Sequence, residues 1–304
     1  MKSKYRISAI LCSVMLVMIA GAVFALSRVA LYRPEARLED ILYIPSAKVL
    51  KRMSLGYNGL VADIYWTRAV QYFGWRHKHR ATDYHLLYPL LDITTQLDPN
   101  LLVAYRFGGT FLAQQPPDGA GQPDKAAELL ERGIKANPNE WKLYYDLGFL
   151  ESMERQDYAA AASAFQKGSQ LPNAHPFLKI MAAQMAQHGG DLATARMLWQ
   201  TTYASTEDPA LKMNAEMHLK ALEVDETVPK LEELVREFKE KTGKEPTTFF
   251  PLVQGGYLRH IPLDPLGHPY KLLPDGQVEV QDPEAWSFIR QGRPPKNTES
   301  PAKP

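Results

Sequence analysis

Four prolines set the rhythm of this chain. Pro99, Pro138, Pro172 and Pro209 are separated by 39, 34 and 37 residues, in the similar contexts Leu97–Asn100 (LDPN), Ala136–Asn139 (ANPN), Gln170–Asn173 (QLPN) and Glu207–Ala210 (EDPA). Proline lacks the amide hydrogen and clashes with the preceding turn, so helical segments that end at so regular a spacing point to an internally repeated helical architecture. Ten residues beyond the first three prolines lie Gly109, Gly148 and Ala182, small enough for two antiparallel helices to approach closely. Six residues beyond the first two lie Tyr105 and Tyr144, large enough to fill the space between successive helices. The segment KAAELLERGIKANP places Ala126, Leu130, Gly133 and Ile134 on one helical face, and WKLYYDLGFLESM contributes Leu143, Leu147 and Leu150 at the same spacing. Both helices are too short to stand alone and must bury their stripes against neighbours.

From about Leu101 to Leu171 these features resemble the tetratricopeptide repeat (TPR) family, and the likeness weakens toward Tyr203. It implies an all-α fold, a right-handed helical solenoid spanning residues 57–243. The stretch Gln114–Asp124 (QQPPDGAGQPD) adds a loop that accounts for the 39-residue gap, and after Pro172 the register slips, so that Ala195 suits the small position better than Met197. A divergent pair, roughly Tyr57–Trp75 and Tyr84–Leu97, would precede the array. A second pair, about Pro209–Leu222 and Val228–Thr242, would cap it. A stack of this kind exposes a concave surface, and the family's groove-facing positions fall on Arg106, Lys142, Tyr145, Phe149, Lys179 and Gln187. A basic, aromatic groove suits an extended or helical partner segment with some negative charge. The same residue types also occur as ordinary solvated side chains on helix surfaces. The two-carboxylate clamp of chaperone-binding relatives is not carried over, because Arg106, Thr110 and Asp146 stand at its positions.

Lys2, Lys4 and Arg6 precede an uncharged run, Ile7–Leu26, whose twenty residues would span about 30 Å as a helix. Residues 1–26 are therefore expected to form a signal anchor and transmembrane helix, single-pass, with a cytoplasmic N-terminus and an extracytoplasmic, periplasmic body. Cleavage after the small residues Ala20-Gly21-Ala22 or Val23-Phe24-Ala25 is the alternative. Mean hydropathy of −0.31 excludes a polytopic membrane protein, and Cys12, the single cysteine, excludes an intramolecular disulfide. With 35 basic and 34 acidic residues the chain carries no global field to recruit nucleic acid.

The membrane-proximal segment, residues 27–56, runs into an aromatic helix expected over Ser54–Trp75. Its string IPS…SLGY…AD…W…VQYFG is similar to uncharacterised TPR proteins of bacterial envelopes. Asp63, Trp66 and Trp75 are its candidate contacts with the membrane interface or an embedded partner; packing against Tyr84–Leu97 is the alternative. The cluster Trp75-Arg76-His77-Lys78-His79-Arg80 reads as a solvated helix end that complements the helix dipole, as a lipid or nucleic-acid contact, or as a His-x-His metal site that His85 would join.

From residue 244 to 290, Pro262, Pro265, Pro269 and Pro274 with four glycines predict turns and short strands, and Pro274-Asp275-Gly276 predicts a hairpin. The string from Ile261 to Tyr270 resembles an element near the end of type II secretion major pseudopilins, with Leu266 in place of the usual tryptophan. That likeness implies a loop and hairpin; neither filament assembly nor a calcium site transfers with it. Asp264 is placed to cap its own turn. Residues 291–304 are expected to be a disordered tail.

The chain has no G-x-S-x-G, Walker, H-E-x-x-H or G-x-G-x-x-G element. No cofactor, metal, nucleic acid or small-molecule substrate is expected. The leading expectation is a membrane-anchored scaffold for another envelope protein in a secretion or pilus-related assembly. A soluble extracytoplasmic factor that escorts exported polypeptides is the alternative, and an enzyme built on His260, Asp264 and His268 is the reading from another class.

Overall fold

The computed structural model describes residues 15, 17–21, 24, 28 and 46–294 of the 304. The expected span Ile7–Leu26 lies mostly outside them, and among the described residues no helix is long and apolar enough to cross a membrane. The structure is mostly helical, with a single two-stranded sheet among the described residues. It divides into two compact units between Asp98 and Pro99.

In the first unit, α1 (Ala47–Met53), α2 (Asn58–Lys78) and α3 (Leu87–Leu97) pack on one another. The α2 helix buries Ala62, Tyr65, Ala69 and Tyr72, a stripe at helical spacing, and α3 buries Leu87, Leu90 and Leu91. Its start is four residues later than the sequence predicts, because Leu55 and Gly56 take positive φ in the turn that separates it from α1.

In the second unit, α4 (Leu102–Ala113), α5 (Pro123–Ala136), α6 (Trp141–Met153), α7 (Tyr158–Ser169), α8 (Phe177–His188), α9 (Leu192–Ser205) and α10 (Pro209–Thr242) each pack on the next in sequence, and α4 also meets α6. Asp157, Asp191 and Asp208 cap α7, α9 and α10 by accepting from amides of the first turn. The Gln114–Asp124 insertion folds back on α4, where the Ala120 and Gln122 amides donate to the Phe111 and Leu112 carbonyls at 2.9 and 2.7 Å.

Successive helices meet through reciprocal contacts between large side chains and glycines. A Cβ on Gly109 would meet Leu130 at 3.1 Å, and one on Gly133 would meet the Tyr105 ring at 2.8 Å. In the next pair, Gly148 faces Phe165 and Gly168 faces Tyr144 and Leu178, each at 2.8 Å. Ala182 and Ala195 occupy the corresponding small positions further along and are fully buried. Gly148→Val is expected to cost about 1–3 kcal/mol through overpacking against Phe165. Denaturant unfolding checks this, and a midpoint at or above that of the parent chain would show that α7 can yield.

The expected capping pair is instead one continuous helix of 34 residues, α10, with Pro229 inside it. Its Val224, Val228, Leu231 and Val235 form one apolar stripe buried in a cluster with Val278, Val280 and Trp286. Burial of that stripe outweighs the single backbone bond that proline removes. Gly243, with φ of 68°, ends the helix in the left-handed region.

Beyond it come a short helix α11 (Phe250–Gln254), not expected from the sequence, and the expected hairpin, β1 (Lys271–Leu272) against β2 (Val278–Glu279). Asp264 caps its own turn, accepting from the Leu266 and His268 amides at 2.9 Å each. The expected disordered tail is corrected at its start: Gln291 donates its amide to Asp225 Oδ1 at 2.9 Å, and the Val280 amide donates to Gly292 O at 3.0 Å. The rest of that tail, from 295, lies outside the described residues.

Candidate functional site

The first helices of successive pairs, α4, α6 and α8, share one face, where two adjoining clefts have Arg106 and Tyr145 in common. One, of about 240 Å³, is lined among others by Thr110, Leu130, Asp146 and Phe149; the other, of about 190 Å³, by Trp141, Lys142, His175, Phe177 and Leu178. Phe149 and Phe177 are exposed there. Tyr145 links Phe149 to the core, its ring stacked at 6.2 Å on Phe149 and tilted at 6.1 Å against Phe165.

The structure thus brings Arg106, Lys142, Tyr145 and Phe149 together. Lys179 is half-buried on α8 outside the lining of both clefts, and Gln187 is corrected outright. Gln187 is buried, its Oε1 facing His218 Nδ1 at 3.1 Å and its Nε2 donating to Phe288 O at 3.2 Å. It sits in the last turn of α8, past the point where the register slips, and so turns toward α10 and the C-terminal segment.

The groove is also less basic than its sequence suggests. Arg106 grips Asp146 with both ends of its guanidinium, Nε to Oδ2 at 2.5 Å and Nη2 to Oδ1 at 3.2 Å. Burial pushes the Asp146 carboxyl up against the pull of that guanidinium, while the hydrogen bond to Asp146 raises Arg106 further. Arg106 and Asp146 therefore neutralise each other, leaving exposed Lys142, over the Trp141 ring at 5.9 Å, as a cation of the second cleft. Trp141, Phe177 and His175 were missed by the sequence reading. Their signal was an aromatic residue near the start of each first helix.

In the first unit, Asp63 is exposed while Trp66 and Trp75 are half-buried. The aromatic packing is carried instead by Tyr65 and Tyr72, both buried, and by Phe73 against Tyr84 at 5.7 Å. The basic cluster is a helix end. Arg76 binds Asp83, Nη2 to Oδ2 at 3.2 Å, while His77 lies on Phe73 and His79 on Trp75, so the two histidines serve separate aromatic contacts. His85 joins Asp83 at 2.6 Å, and that hydrogen bond lowers the Asp83 carboxyl.

Of the residues suggested for an enzyme, Asp264 is buried with His268 Nδ1 at 3.8 Å from its Oδ2, whereas His260 is exposed and its Nδ1 faces the Ile261 carbonyl at 3.1 Å. Among the described residues no group of three or more His, Cys, Asp or Glu is placed to hold a metal ion.

A second polar cluster is buried where the C-terminal segment crosses α8 and α10. The His218 ring is sandwiched between Trp199 at 4.0 Å and Phe288 at 3.8 Å. Arg290 donates to the Gln187 and His188 carbonyls at 2.7 and 2.8 Å, at the end of α8, where the Gly190 amide also reaches Gln187 O. Asp225 Oδ1 accepts the amides of Arg290 and Gln291 at 2.7 and 2.9 Å. These contacts fasten the C-terminal segment to the helices. Compared with known proteins, the chain matches no family model and no curated protein.

Proposed function

We propose that this chain is a TPR-like scaffold, a right-handed solenoid held at a membrane by its N-terminal run with its body outside the cytoplasm. Its α4–α6–α8 face binds a segment of another envelope protein or exported polypeptide. The observation that carries the reading is the pair of adjoining clefts that share Arg106 and Tyr145, with exposed Phe149 and Phe177 on their walls. Nearest-neighbour packing of successive helices and the repeated glycine contacts support the solenoid. The aromatic walls suit apolar anchors spaced along a helix or strand, and the balanced Arg106–Asp146 pair offers a donor and an acceptor in place of a net charge.

A photo-crosslinker at Phe149 or Phe177 in the full chain, expressed in its own membranes, should yield adducts that the same group at exposed Met213 on α10 does not. Phe149→Asp with Phe177→Asp should weaken binding of the crosslinked partner by roughly a thousandfold, since two aromatic anchors are worth about 2 kcal/mol each at an interface. Both rings are exposed, so circular dichroism should remain that of the parent. Undiminished recovery would overturn the assignment of this face.

A further inference from the structure

We propose that the corner between α1 and α2 is a binding site for an anionic lipid surface. Met53, Leu55 and Tyr57 would enter the interface, with Lys48, Lys51 and Arg52 meeting headgroup phosphates. The corner belongs to the first unit, and the proposal does not rest on the cleft reading.

The apolar side chains there stand out from the body. Leu55 is 86% exposed, Met53 and Tyr57 each 70%, and Leu60 61%. Leu55 occupies the left-handed region, with φ of 50°, between the Ser54 amide bonded to Leu50 O and the Tyr57 amide bonded to Ser54 O, both at 2.8 Å. A turn in water ordinarily places Gly, Asn or Asp at such a position. Here a leucine is held outward with neither burial nor a local polar partner.

Charge selects the occupant. From Ser46 to Arg80 the sequence carries seven Lys and Arg residues (Lys48, Lys51, Arg52, Arg68, Arg76, Lys78 and Arg80) against Asp63 alone. Lys48, Lys51 and Arg52 are exposed, and none forms an ion pair among the described residues. The inward side of α1 is used by Ala47, buried, with Leu50 half-buried, so the cations and Val49 and Met53 share its solvent side. The core of a protein interface is depleted in lysine. An apolar tip beside a helix of exposed cations instead matches the layered chemistry of a bilayer surface, with acyl chains beneath a sheet of phosphates.

The test uses the full chain with Cys12→Ser and Leu55→Cys, the new thiol carrying an environment-sensitive fluorophore. It is mixed with vesicles of phosphatidylcholine alone or with phosphatidylglycerol, each with and without brominated acyl chains. In anionic vesicles the probe should shift to the blue and be quenched by bromine, and the response should weaken as salt rises. Replacing Lys48, Lys51 and Arg52 by glutamine should raise the lipid concentration needed for half the response by about fivefold per cation removed. The same probe at Met213→Cys should stay aqueous. A probe at 55 that stays aqueous in anionic vesicles, as it would if the corner met only a protein, overturns the proposal. Equal quenching in both lipids does so as well, because mere tethering would then explain it. Neither result bears on the crosslinks from Phe149 and Phe177.

Discussion

Trp199→Ala is expected to destabilise the second unit by about 3–5 kcal/mol, the range for deletion of a large aromatic from a closed core. Trp199 is fully buried in a cluster with Ala183, Ala186, Ala195 and Ala215, whose methyl groups have little reach to refill its volume. Its effect should extend beyond that cavity. The Trp199 ring is one side of the sandwich around His218, whose other side is Phe288 of the C-terminal segment. Without it His218 can tilt, Gln187 loses its partner, and the hold on Phe288 and Arg290 weakens. Hydrogen exchange at residues 286–291 should therefore quicken more than the global loss requires. Phe165→Ala is the control: also fully buried, packed with Leu178 and Ala182, it should lose comparable stability without selective exchange there. A loss below about 1 kcal/mol in denaturant unfolding, or exchange at 286–291 no faster than in the control, would contradict this account.

The helical body was legible because its devices are local and repeated. Gly109 and Gly148 stand at a fixed offset from prolines, and the large residues they admit, Leu130 and Phe165, lie on the next helix in sequence. The α10 helix was not legible because Pro229 carries the same mark that elsewhere ends a segment. Only the stripe from Val224 to Val235, covered by Val278, Val280 and Trp286 more than forty residues on, rewards continuity. The candidate site was read in part. Arg106, Lys142, Tyr145 and Phe149 converge because a short repeat register carries them to one face. Whether Arg106 presents charge depends on Asp146, one helix pair away, and spacing alone does not reveal that they meet. Gln187 fails for the same reason on a longer scale, since its side chain is claimed by His218 and by the Phe288 carbonyl, 101 residues later.

This long-range junction also contains a histidine that burial keeps neutral well into the acid range. Burial pushes His218 from its ordinary 6.5 down to about 4, and its Nε2 is buried without a hydrogen-bond partner. A histidine kept neutral in the folded state and free to protonate in the unfolded one stabilises fully above about pH 6.5, and that contribution is lost as pH falls toward 4. At about 1.4 kcal/mol per unit, acidification across the window should remove about 3 kcal/mol. Buried Asp146, Glu151 and Asp225 act with the opposite sign: their carboxyls are raised by burial, so the folded state takes up protons earlier than the unfolded chain and acid partly offsets the loss. The histidine is isolated by comparison with His218→Phe, which keeps a ring between Trp199 and Phe288 but cannot charge. At pH 7 the variant should be the weaker protein, because Gln187 Oε1 loses its donor. Toward pH 4 the difference should close and then reverse, by about 3 kcal/mol in total, in urea unfolding at stepped pH. A difference that stays constant from pH 7 to 4 would mean that the buried ring can protonate in place, with Asp225 or the C-terminal segment yielding to accommodate the charge.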